Sequence, residues 1–122
     1  MKALIVDDSE TTRRIIVRAL EKANITESNQ AANGEEAVRA CSQSQYDVVL
    51  MDWNMPTMSG IEAVKAIRKS GNKVPIIMVT TEAEKSRIIE ALKEGANNYI
   101  AKPFQPDVLA AKIKETIIKA LK

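Results

Sequence analysis

The chain has 122 residues, 45% of them apolar and 28% charged, with a net charge of +2 and a single cysteine, Cys41. That balance suits one compact globular domain; the charge is too small to argue for nucleic acid or a membrane, and a lone cysteine excludes an intramolecular disulfide. Histidine is absent, which removes Ser-His-Asp and Cys-His catalysis, histidine zinc ligands and histidine general bases, and leaves any chemistry to carboxylates, lysine, hydroxyls or a bound metal.

The chain opens on the apolar run Ala3-Leu4-Ile5-Val6, ended by Asp7-Asp8. The run is too short for a signal peptide or a membrane span, so a cytoplasmic protein is expected. It reads instead as a strand buried on both faces. Ile15, Ile16, Ala19, Leu20 and Ala23 then recur with helical period. A weaker strand is predicted over 27–31. Asn33 can cap a short helix over 34–42, with Ala37, Val38 and Cys41 turned inward and Cys41 an inert helix residue.

Val48-Val49-Leu50-Met51 repeats the buried-strand pattern and ends in Asp52. Ser59-Gly60-Ile61-Glu62 matches the capping box, in which a hydroxyl and a glutamate satisfy orphan amides; it opens a helix lined by Ile61, Val64 and Ile67 and stopped at Gly71. Ile76-Ile77-Met78-Val79 is the next strand, ending in Thr80-Thr81. Thr81-Glu82-Ala83-Glu84 matches a second capping box, before a helix carrying Ile88, Ala91 and Leu92 and stopped at Gly95. A last strand is predicted over 98–101. Pro106 suits the first turn of a final helix, with Leu109, Ile113, Ile117 and Leu121 at i, i+4 spacing. Its lysines Lys112, Lys114, Lys119 and Lys122 read first as a solvated face and second as an attraction for an acidic partner segment.

This strict alternation implies right-handed crossovers and an α/β fold: a five-stranded parallel sheet flanked by five helices, as one domain over 1–122. The small sheet favours the flavodoxin-like order 2-1-3-4-5, in which ligands bind beyond the carboxyl ends of the strands. Asp7-Asp8, Asp52, Thr80 and Lys102 end strands that are neighbours in that order, so they should meet. Three converging carboxylates repel one another, and a hard divalent cation such as Mg²⁺ resolves the conflict. With Lys102 and the Thr80 hydroxyl, the group is equipped to hold phosphoryl oxygens. Asp52, on the central strand, is the candidate nucleophile. An aspartyl phosphate needs a high-energy donor, and a chain without histidine must take it from another protein or a small phosphoanhydride.

Val6-Asp7-Asp8-Ser9, Met51-Asp52-Trp53-Asn54-Met55-Pro56, Val79-Thr80 and Lys102-Pro103-Phe104 resemble the signature positions of two-component response-regulator receiver domains, and among them the stand-alone chemotaxis regulators. The resemblance implies Asp52 as phosphoacceptor. It also implies Asp8 as a direct Mg²⁺ ligand, Asp7 as one acting through water and the Asn54 carbonyl as a third. By the same resemblance Thr80 and Tyr99 are switch residues, Tyr99 turning from exposed to buried; Lys102 pairs with the phosphoryl group, and the Lys102–Pro103 peptide is cis. Trp53 reads as a passive neighbour. Thr81 departs from the family, which commonly has a small residue there, and this bears on reaction rates. The implied donor is a chemotaxis-type histidine kinase and the implied target a flagellar motor switch protein, with a phosphatase as a third partner. No nucleic acid or membrane partner is expected, and the chain is expected to be monomeric. Two other readings stand beside this one: a receiver excised from a larger regulator, and an aspartyl-nucleophile phosphatase. The phosphatase reading suffers from Asn54, which stands where such enzymes need a second aspartate.

Overall fold

The computed structural model describes residues 1–81 and 84–121. Ten elements alternate: β1 (Lys2–Val6), α1 (Glu10–Lys22), β2 (Glu27–Ala31), α2 (Gly34–Gln43), β3 (Val48–Met51), α3 (Gly60–Lys69), β4 (Ile76–Thr80), α4 (Lys85–Glu94), β5 (Asn98–Ala101) and α5 (Pro106–Ala120). The five strands form one parallel sheet in the order β2-β1-β3-β4-β5, as the alternation predicts. β1, β3 and β4 are almost wholly buried because helices cover both faces of the sheet.

Side-chain alternation along each strand divides the core in two. Leu4, Val49, Met51 and Met78 face α2, α3 and α4, meeting Ala37, Val64 and Ala91. Ala3, Ile5, Leu50 and Ile77 face α1 and α5, meeting Ile16, Leu20 and Ile113. Each strand thus contributes apolar surface to both layers, which is why its sequence shows no polar alternation.

The local signals mostly hold. Asn33 caps α2 by accepting from the Glu36 amide, and the capping box of Ser59 and Glu62 closes at the head of α3. Pro106 sits in the first turn of α5, and Gly95, at φ 117°, ends α4 in the left-handed conformation that glycine tolerates.

The second capping box does not open α4 as expected. The helix begins at Lys85, and its N-cap is Glu84, without a side-chain cap bond. Glu82 and Ala83 lie outside the described residues. β4 stays extended through Thr80, paired with Ala101, and the Thr80 carbonyl accepts from the Lys102 amide at 2.9 Å, so the sheet holds the chain up to the start of the predicted helix. Two residues of the predicted helical stripes are also exposed, Leu92 at 46% and Leu121 at 77%. α4 buries only a narrow line through Ala91, with Ile88 half-covered, and Leu121 lies just past the end of α5.

Candidate phosphoacceptor site

β1, β3, β4 and β5 deliver their polar ends to one edge of the sheet. Asp7 and Asp52 follow β1 and β3 and are 1% and 6% exposed, while Asp8 is exposed. Oxygens of the three carboxylates all lie within 4.8 Å of one another. Lys102, just past β5, bridges the two buried ones: its Nζ is 2.7 Å from Asp7 Oδ2 and 3.4 Å from Asp52 Oδ2. The remaining oxygens are held by backbone. The Ser9 amide donates to Asp7 Oδ1 and the Trp53 amide to Asp52 Oδ1, each at 2.8 Å.

The electrostatics follow from this count. Three carboxylates against one ammonium leave two uncompensated negative charges among the groups that touch. The Asp52 carboxyl is accordingly pushed up to about 6, first by burial and then by the Asp7 carboxylate; Lys102 and the Trp53 amide pull it back only in part. An all-oxygen donor set with this residual charge fits a hard divalent cation of the Mg²⁺ kind.

Thr80 closes β4 and is fully buried, and Tyr99 is buried in β5 against the α3 and α4 layer. Tyr99 is thus inward in this structure. Asn54 is exposed, two residues beyond Asp52. The Lys102–Pro103 peptide is cis.

The chain matches the response regulator receiver domain over residues 3–114. It belongs to that family. A chemotaxis protein CheY homolog of Campylobacter jejuni is 46% identical over 120 residues, covering 96% of this chain and 92% of the relative. Chemotaxis protein CheY1 of Helicobacter pylori is 44% identical over 117 residues, covering 93% and 94%. Among solved structures, the receiver domain of the Francisella response regulator 1452 superposes with a TM-score of 0.90 at 30% identity, covering 98% of each chain. Vibrio cholerae chemotaxis protein CheY4 superposes with a TM-score of 0.85 at 36% identity, covering 94% and 97%.

Several residues that shape this receiver's site carry no obvious sequence signal. Gly60 reads as part of a capping box, yet its amide donates to the Trp53 carbonyl at 2.8 Å, and a Cβ there would lie 1.8 Å from the Asp52 carbonyl oxygen. Only glycine lets α3 start so close to the aspartate. Arg13 of α1 donates from Nη1 to the Asp7 carbonyl and from Nε to Gln30 Oε1 of β2, bracing the β1–α1 turn. Trp53 is not merely adjacent: the Arg87 guanidinium of α4 lies over its ring, 5.5 Å from the centroid. Lys112 leaves the predicted solvated face of α5 and donates to the Tyr99 carbonyl at 2.6 Å.

A concavity of about 580 Å³, lined by residues 41–46 and 72–74, lies at the other edge of the sheet, away from the carboxylates. The geometry of charged groups, not cavity size, locates the site. Among the described residues, no helix is long and apolar enough to cross a membrane.

Proposed function

We propose that this receiver is a phosphorylation-controlled signalling protein in which Asp52 accepts a phosphoryl group and the modified domain changes its affinity for a partner. One observation carries the reading: three carboxylates from two separate strand ends share a pocket within 4.8 Å, and Lys102 bridges the buried pair.

In this scheme an Asp52 carboxylate oxygen attacks phosphorus. The P–N bond of a phosphohistidine breaks, and the departing imidazole nitrogen takes up a proton; with acetyl phosphate a P–O bond breaks instead and acetate leaves. Lys102 and the Thr80 hydroxyl bind phosphoryl oxygens. Asp7, Asp8, Asp52 and the Asn54 carbonyl would hold Mg²⁺, which supplies neutralisation of charge spread over those oxygens. Phosphorylation adds a dianion beside Lys102 and Thr80 and biases the packing around β4 and Tyr99, so a pre-existing population shifts.

The chain contains no histidine of its own, so the phosphoryl group comes from another molecule; in this reading, which follows the family resemblance, the donor is a histidine kinase. The names of the Campylobacter and Helicobacter relatives support a place in chemotaxis. The target in this reading is a flagellar motor switch protein, and a phosphatase resets the signal in the cytoplasm. The chain acts on its own aspartate rather than turning over a free substrate.

The test is labelling with acetyl phosphate or a phosphohistidine protein in Mg²⁺, read by intact mass. The parent should gain one phosphoryl group and Asp52→Asn none. Undiminished labelling of Asp52→Asn would remove the assignment.

A further inference from the structure

α4 is fastened very differently at its two ends. At the C-terminal end, the Arg68 guanidinium of α3 donates to the Gly95 carbonyl from Nε at 3.0 Å and from Nη2 at 2.8 Å. It also donates to the Asn72 carbonyl and to Asn97 Oδ1, each at 2.9 Å. Asn97 Oδ1 in turn accepts from the Ile76 amide of β4 at 2.9 Å, so this end of α4 is tied to both α3 and the sheet. The first turn is held lightly. Its N-cap Glu84 makes no side-chain cap bond, Ile88 is half-buried and Ile89 is exposed.

Among the described residues, the side-chain contact that holds this turn is made by Arg87. Its guanidinium lies over Trp53 at 5.5 Å from the ring centroid, within cation–π range, and 3.5 Å from Glu90 Oε1. Trp53 is a built-in part of the Asp52 segment. It is buried, its amide donates to Asp52 Oδ1, and its carbonyl accepts from Gly60. A displacement of the Asp52 backbone therefore moves the surface on which Arg87 rests.

We propose that Arg87 is a positioning residue that couples the first turn of α4 to the Asp52 segment through the face of Trp53, while Arg68 fixes the opposite end so that α4 yields at its N-terminal turn. The link to signalling rests on Asp52 being the phosphoacceptor. The mechanical asymmetry does not.

Two arms of one experiment separate these. In the first, amide hydrogen exchange of the full chain is followed without metal or phosphoryl analogue. Residues 85–89 should exchange faster than 92–96. Arg87→Gln should speed exchange at 85–89 by about two- to five-fold, the worth of one exposed cation–π contact, and leave 92–96 unchanged. Arg87→Lys, which keeps the charge, should restore most of the protection. Arg68→Gln should instead speed exchange at 92–96. Exchange in Arg87→Gln that is unchanged, or raised equally along α4, overturns the proposal.

In the second arm, Mg²⁺ and beryllofluoride are titrated while emission is read from Trp53, the single tryptophan of the chain. Arg87→Gln should lose at least about half of the parent's signal change, and Arg87→Lys should recover it. A full signal change in Arg87→Gln overturns the coupling. If the first arm succeeds and the parent gives no response in the second, the phosphoacceptor reading fails and the mechanical asymmetry of α4 stands.

Discussion

Asp52 is an acid kept where an acid is uncomfortable. Burial raises its carboxyl from an ordinary 3.8 to about 6, and Asp7 adds to the rise. Between those values the folded chain holds a proton that the unfolded chain has released, so folding is favoured at the acidic end of the window. Stability contributed by this group is fully present below about pH 4 and is lost as pH rises to about 6. At neutral pH without metal, ionised Asp52 therefore costs about 1–3 kcal/mol. Asp52→Asn should remove that cost, so the variant should melt higher than the parent at pH 7 in EDTA, and the gap should close near pH 4. Melts at the two pH values decide this, and a variant less stable than the parent at pH 7 contradicts it. The same measurement shows that lost labelling in Asp52→Asn comes from a missing nucleophile and not from a damaged fold.

Among the elements, α3 shows how closely secondary structure and site are joined. Its first residue, Gly60, occupies space where any Cβ would sit 1.8 Å from the Asp52 carbonyl oxygen and 3.1 Å from a Met51 side-chain carbon. The first neighbour is backbone and cannot swing away. Gly60→Ala should push the start of α3 off the Asp52 segment, cost about 2–4 kcal/mol in a denaturant titration and depress labelling by acetyl phosphate. Gly71 supplies the control, because a Cβ there meets nothing within 4 Å and only its φ of 88° objects. Gly71→Ala should cost about 1 kcal/mol and leave labelling intact. Equal losses in the two variants would contradict the clash. The capping box at Ser59 was readable because its partners lie three residues apart. The reason for Gly60 was not, because the obstacle belongs to another element.

For the whole molecule, the strand order and the meeting of Asp7, Asp52 and Lys102 were legible because alternation with right-handed crossovers leaves few sheets to choose from. The contacts of Arg13, Arg68 and Arg87 were not, since a long cationic side chain reaches partners that no periodicity marks. What the fold assembles at its strand ends is a charge imbalance, and its remedy can be measured as global stability. Two negative charges in excess, on groups already drawn within 4.8 Å, make the folded chain a better cation ligand than the unfolded one. Binding only the folded state at ten times the dissociation constant adds about 1.4 kcal/mol, or about 4–8 °C for a domain of this size. Mg²⁺ should therefore raise the melting temperature of the parent in metal-free buffer at pH 7, and sodium chloride at equal ionic strength should not. Asp8 offers the cleanest control because it is exposed, whereas Asp7 is held by Ser9 and Lys102. Asp8→Asn should leave the metal-free melt nearly unchanged and remove most of the Mg²⁺ gain. If sodium reproduces the gain, or Asp8→Asn keeps it, the carboxylates respond to general screening and the pocket is no specific cation site.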